Sequence, residues 1–121
     1  MTSDELKDRS KKFGIRIIKM TDKLPQSQVG KIITGQIIRS ATSVGANYRA
    51  VCRAKSENDF INKLKIVEEE ADETLYWLEI ISELELIKPE LLVDLKKEAN
   101  ELLSIFVKSI NTKRSHLNLK S

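Results

Sequence analysis

Apolar residues return every three or four positions along four separate stretches of this chain, which is the period of one face of an α-helix. Leu6, Phe13, Ile17, Met20 and Leu24 form the first stripe. It predicts a helix from near Asp4 to about Lys23, capped by Thr2 or Ser3. Leu24-Pro25 ends it, because the residue before proline is pushed out of the α region. The second stripe is Val29, Ile33, Ile37, Ala41, Val44, Tyr48 and Val51, widened by Ile32 and Ile38. It predicts a helix from a Ser27 cap to about Ala54. The third is Phe60, Leu64, Val67, Ala71, Leu75 (with Thr74), Leu78 and Ile81. It starts at Ser56, with Asp59 placed as in a capping box, and fades near Leu86. The fourth is Leu92, Leu95, Ala99, Leu102, Phe106 and Ile110. Pro89 suits its first turn, and it should end near Lys113, leaving 116–121 as a frayed tail.

Four amphipathic helices with short connections predict an all-α, up-down-up-down four-helix bundle, one domain over residues 1–121. The second and third helices are joined so closely that they should form an antiparallel hairpin. Gly35 and Gly45 lie inside the second helix, where each costs about 1 kcal/mol against alanine. Close approach of a neighbouring backbone would offset that cost.

Composition narrows the chemistry. Gly and Pro are scarce, with four and two copies in 121 residues, which favours helix over sandwich or barrel. The single Cys52 cannot close an internal disulfide and reads as a small apolar helix residue in a reducing compartment. The single His116 stands in the tail as an exposed side chain, so neither a Cys–His pair nor a di-iron Glu-x-x-His set is present. No apolar run reaches membrane-span length and Met1–Lys12 lacks a signal-peptide core. The expectation is a cytoplasmic protein with no membrane contact, metal, cofactor or small-molecule substrate, and no enzymatic activity.

The net charge of +3 conceals an asymmetry. Residues 1–55 carry 12 Lys/Arg against 4 Asp/Glu, residues 56–101 carry 5 against 14, and residues 102–121 carry 4 against none. Such a split serves nucleic-acid binding, self-association, or helices that complement each other within one chain. Lys12, Arg16, Lys19 and Lys23 recur at helical spacing, and Lys108, Lys113 and Arg114 would extend them into a phosphate-binding surface. No aromatic interleaves this stripe, so base reading would be weak.

Arg49 and Arg53 share one side of the second helix, and Glu69, Asp72 and Glu73 one side of the third. The tight connection predicts an interhelical Arg–carboxylate network or a subunit contact, with Asn47 bonding across the bundle or to the opening of the third helix. Tyr76, Trp77 and Ile80 wrap beyond the main stripe of the third helix. This surplus apolar strip, with Ile66 beside it and Ile15, Ile18 and Ile38 elsewhere, predicts a homo-oligomer interface with closed symmetry.

Three blocks now stand in order: Arg39-Ser40-Ala41-Thr42-Ser43-Val44-Gly45-Ala46-Asn47-Tyr48-Arg49-Ala50, Ser56-x-x-Asp59-Phe60-x-x-Lys63, and Glu69-Glu70-Ala71-Asp72-Glu73-Thr74-Leu75-Tyr76-Trp77-Leu78. With them the chain resembles, from about Ile17 to Ser109, a bacterial four-helix-bundle family related to the protein encoded within intervening sequences of 23S rRNA genes. The resemblance implies a left-handed bundle that assembles into a ring-shaped homopentamer. It supplies no catalytic residue set. A related branch, the accessory protein of diversity-generating retroelements, is a basic pentamer that binds nucleic acid and its reverse transcriptase. Where the rRNA-linked branch tends to have Ile and Glu after the asparagine, this chain has Tyr48-Arg49-Ala50.

Two functions follow as expectations. One is a non-enzymatic homopentameric module that associates with RNA or DNA, or with a nucleic-acid enzyme, through its basic surface. The other is a protein-interaction scaffold with no nucleic-acid role.

Overall fold

A computed structural model describes residues 1–120, the side chain of Lys120 excepted. It consists of α1 (Ser3–Thr21), α2 (Gln28–Val51), α3 (Glu57–Glu83) and α4 (Val93–Lys120), with a 3-10 turn at Pro89–Leu92 leading into α4. No strand occurs among the described residues. α1 packs on α2, α2 on α3, α3 on α4 and α4 on α1, so α1 and α3 stand diagonally across the core.

Each of the first three helices starts where a side-chain oxygen can take an orphan backbone N–H. Thr2 Oγ1 accepts from Glu5 N at 3.1 Å, Ser27 Oγ from Gly30 N at 3.1 Å and Ser56 Oγ from Asp59 N at 3.0 Å. At α3 the reciprocal bond runs one residue further out than in a capping box. Asp59 Oδ2 accepts the N–H of Lys55 at 3.0 Å, not that of Ser56, and Lys63 Nζ lies 2.8 Å away.

The helix ends differ from the expectations by small amounts with physical causes. α1 stops at Thr21 and a turn carries the chain to the buried Leu24. α3 stops at Glu83 in a Schellman motif: Leu86 N donates to Ile81 O at 3.0 Å and Glu85 N to Ser82 O at 3.1 Å. Glu85 holds the left-handed position, φ 51°, that glycine usually takes. α4 continues past Lys113 through the expected tail as far as Lys120, and Ser121 lies outside the described residues.

The core is the predicted stripes with a few positions moved. Phe13, Ile17, Ile37, Val44, Leu64, Val67, Leu78, Ile81, Leu92, Leu102 and Phe106 are fully buried. Val29, placed on the stripe by periodicity, is exposed, and Gly30 holds the buried place. Phe60 and Leu75 are only partly buried, while Ile61 and Thr74 point inward. Two polar groups are admitted between α2 and α3. Ser40 and Thr74 are both 0% exposed, and the Thr74 hydroxyl donates to Ser40 Oγ at 2.9 Å. That bond and the Ile37 and Glu70 carbonyls nearby satisfy both hydroxyls. Cys52, expected on an apolar face, caps the end of α2 and is exposed.

The glycines separate into two kinds. A Cβ on Gly14 or Gly45 would meet the facing helix at ordinary contact distance, 3.5 Å from Ala41 O and 3.4 Å from Lys11 N. This is the close α1–α2 approach expected of Gly45. Gly35 has nothing within 4 Å, so no close neighbour offsets its propensity cost. Gly30 is the demanding position, because its Cβ would fall 1.9 Å from the Pro25 carbonyl oxygen. Gly35→Ala should therefore stabilise the fold by about 1 kcal/mol, and Gly30→Ala should destabilise it by about 1–3 kcal/mol through overpacking against backbone. Urea unfolding of both variants measures this. The same sign for both would contradict the packing described.

Candidate nucleic-acid interface and charge networks

The seven predicted phosphate-binding residues do not form one surface. Arg16, Lys19 and Lys23 rim a hollow of about 270 Å³ whose apolar lining is Met20, Ile87, Leu91 and Leu95, where the end of α1 meets the approach to α4. Lys12 is exposed one turn further back and pairs with Asp8 at 2.7 Å. Lys113 lies at the other end of the molecule, its ammonium 5.1 Å from the centre of the Phe60 ring at the start of α3, a cation–π contact. Lys108 and Arg114 flank it on α4, both exposed. Residues 108–114 therefore do not extend the α1 stripe, because the chain brings the beginning of α4, not its end, to Lys19 and Lys23. His116, expected as a bare tail residue, sits 2.7 Å from Glu57 through Nδ1.

Arg9, in the first half of α1, is consumed by folding. Its Nε lies 2.8 Å from Glu98 Oε2 and its Nη2 2.6 Å from Glu98 Oε1, a two-pronged pairing, with Glu101 Oε2 at 2.5 Å from the same Nη2. The hydrogen bond to Glu98 is the main cause that holds the guanidinium pKa above its ordinary value. The side chains of Arg9 and Glu98 are mostly shielded, which makes this α1–α4 tie stronger than an exposed ion pair.

The α2–α3 network exists with a different arginine. Arg39 Nη1 lies 2.9 Å from Glu70 Oε2, and its Nη2 contacts Glu73 Oε2. Those bonds raise the Arg39 pKa, the one to Glu73 most. Glu73 also accepts from Trp77 Nε1 at 3.3 Å. Arg49 and Arg53 take no part, and among the described residues Glu69 and Asp72 have no ion-pair partner. The cause is register. Ser40 faces Thr74 and Arg39 faces Glu73, so the α3 carboxylates lie level with a part of α2 far from the 52–56 connection. Arg49 and Arg53 are too near the connection to reach Glu69, Asp72 or Glu73. Looking for a cation that stands well out from the connection, as these acids do, would have pointed to Arg39. Asn47 does not bridge helices either; its Nδ2 donates to Ser43 O of α2 at 2.9 Å.

The predicted interface residues divide. Trp77 and Ile80 pack partly against the core, and Tyr76 stands 52% exposed, its ring edge-on to Trp77 with centroids 5.1 Å apart. Among the described residues no three His, Cys, Asp or Glu side chains converge as a metal site requires, and no helix is long and apolar enough to cross a membrane.

These observations define an all-helical protein, with four helices around one core and an unpaired cationic hollow among the described residues. The sequence pattern of the 23S rRNA-intervening sequence protein family matches residues 4–108, and the chain belongs to that family. A solved structure of a protein of unknown function from the S23 ribosomal protein family of Bacteroides thetaiotaomicron is similar, at 37% identity and a TM-score of 0.83, over 92% of this chain and 99% of that one. No curated protein matches the chain.

Two outcomes follow from the pairings. Replacing Arg9 by Met strands Glu98 in a shielded site and should cost about 1–3 kcal/mol in urea unfolding. Arg39→Ala, at a more exposed pair, should shift the urea midpoint less than Arg9→Met does. The Asp59 carboxyl is held below its usual range, first by Lys63 and then by the Lys55 N–H. A lowered folded-state pKa means that its contribution is complete above the unfolded value and is lost as pH falls through the folded one. The stability gap between wild type and Asp59→Asn should therefore be constant at neutral pH and close on acidification below pH 3.8. A gap that persists unchanged in acid would show that the carboxylate charge plays no part.

Proposed function

We propose that this chain is a non-enzymatic, homo-oligomeric helical module that associates with RNA or DNA, or with a nucleic-acid enzyme, through the basic surface of α1. In this reading the helices alternate up-down-up-down in a left-handed bundle, and the copies form a cytoplasmic homopentameric ring. The observation that carries it is the α1 cluster. Arg16 and Lys19 on α1 and Lys23 in the turn after it rim one hollow, and among the described residues none has an ion-pair partner, whereas Arg9 and Arg39 are held by carboxylates. Cations that folding does not use remain available to phosphate. Five chains at +3 each carry +15, so binding would be driven by counterion release and weaken with salt. With no aromatic on the stripe, contact is to backbone phosphate and sequence discrimination is low.

The second reading is a protein-interaction scaffold without a nucleic-acid role. It is favoured by the outer face of α3, where exposed carboxylates flank Tyr76 and would repel phosphate.

Fluorescence anisotropy with labelled RNA and duplex DNA, titrated across salt, separates the two. Wild type should bind with an affinity that falls steeply as salt rises. The Arg16→Glu/Lys19→Glu/Lys23→Glu variant should bind at least ~10-fold more weakly with unchanged helix content. Equal affinity for both proteins, or no binding at low salt, would reject the nucleic-acid reading and leave the scaffold.

A further inference from the structure

Neither the core nor the α1 cation cluster uses the groove between α1 and α2 or the outer strip of α3. The groove encloses about 530 Å³. Its floor is low because Gly14, Gly45 and Ala46 stand where longer side chains would fill it. Ile15 and Ile18, each 42% exposed, wall one half. The other half is charged. Lys7 there is taken by Asp4 and Asp8 by Lys12, which leaves Lys11 and Arg49 without an ion-pair partner among the described residues.

The strip on α3 is the opposite kind of surface. Glu69, Asp72, Tyr76, Glu79 and Glu83 recur at three and four, so they share a face. Among the described residues none of these carboxylates is in an ion pair. Spacing matches as well as sign. Tyr76 stands four and seven residues after Asp72 and Glu69, and Ile15 and Ile18 stand four and seven after Lys11. At ~1.5 Å per residue both surfaces place charge and apolar contact about 6–11 Å apart along a helix.

We infer that α3 of one copy lies in the α1–α2 groove of a second copy of this chain. Tyr76 covers Ile15 and Ile18, and Glu69 and Asp72 meet Lys11 and Arg49. The inference rests on the homo-oligomer reading above and names the surfaces that build it. Acids stand on both sides of Tyr76, with Glu79 and Glu83 three and seven residues after it, so the direction of α3 is taken from the ring and not from the charge order. In a bundle whose helices alternate, α1 and α3 point the same way, and rotation about an axis along the bundle preserves that direction. The two surfaces differ, so each copy offers one groove and one strip. Such a contact is heterologous and closes into a ring under rotation.

Charge exchange tests the pairing. The half-swaps Glu69→Lys/Asp72→Lys and Lys11→Glu/Arg49→Glu place like charges opposite each other. The full swap carries all four substitutions. Light scattering after size exclusion, with circular dichroism to verify helix content, should give an assembly for wild type, the mass of one chain for each half-swap, and the assembly again for the full swap. A wild type that runs as one chain overturns both this inference and the oligomeric reading. A wild-type assembly that both half-swaps retain, or that the full swap fails to restore, overturns the docking alone.

Discussion

The register between α2 and α3 is the constraint on which the rest depends. The Ser40–Thr74 hydrogen bond is fully buried, and a hydroxyl at that depth without a partner costs about 1–3 kcal/mol. Sliding α3 along α2 would break that match, so the two hydroxyls select a register that apolar packing alone leaves open. Once it is set, Arg39 falls between Glu70 and Glu73, and Glu73 is placed to accept from Trp77. Trp77 then lies against the helix surface with Tyr76 edge-on to it, leaving Tyr76 outward. The rotation of α3, set by its buried stripe from Leu64 to Ile81, leaves Tyr76 rather than Trp77 facing solvent.

Charge is divided by the same geometry. Carboxylates on the inner flanks of α3 and α4 take arginines from α2 and α1: Glu70 and Glu73 hold Arg39, and Glu98 and Glu101 hold Arg9. Both arginines face a pair of acids three residues apart, a spacing that sets two carboxylates one turn apart on a helix face. A guanidinium spans such a pair where an ammonium would engage it as a point charge. Lysine dominates the outside of α1, at positions 7, 11, 12 and 19, with Lys23 in the turn that follows. The split between a basic first half and an acidic middle is thus partly internal complementarity. The remainder, cations on α1 and acids on the outer face of α3, is what folding leaves unneutralised.

The number of helices and most of the core were legible in the sequence, because burial of an apolar stripe imposes its period directly. Caps at Ser27 and Ser56 were legible because each needs only a few adjacent residues. What the period could not supply was long-range matching. Arg49 and Arg53 were natural choices for the α3 carboxylates when nearness to the connection was the criterion, but distance from the connection decides contact. The basic stripe failed for a similar reason: Lys108, Lys113 and Arg114 resemble the α1 cations in composition but lie at the other end. Gly30 was silent in the stripe pattern because its need comes from the Pro25 carbonyl, a clash that no propensity encodes. Of the candidate site, Arg16, Lys19 and Lys23 came through as a cluster, whereas Asn47 turned back on its own helix.

Three glycines and a proline show how the fold separates stability from surface. Pro25 lies in the connection between α1 and α2, and its carbonyl oxygen stands where a Cβ on Gly30 would fall, so the start of α2 needs glycine there. Gly14 and Gly45 stand on the other side of the α1–α2 contact at van der Waals distance, where a methyl group would be accommodated. Their effect is therefore less on the packing of this pair than on the shape of its outer surface. Without side chains there, the line where the two helices meet stays hollow between Lys11, Ile15 and Ile18. A bundle that needed only to be stable gains nothing from that hollow, since alanine at either position is the better helix former by about 1 kcal/mol. The groove is thus a feature that folding tolerates rather than requires, which separates it physically from the Gly30 contact and from the buried Ser40–Thr74 register.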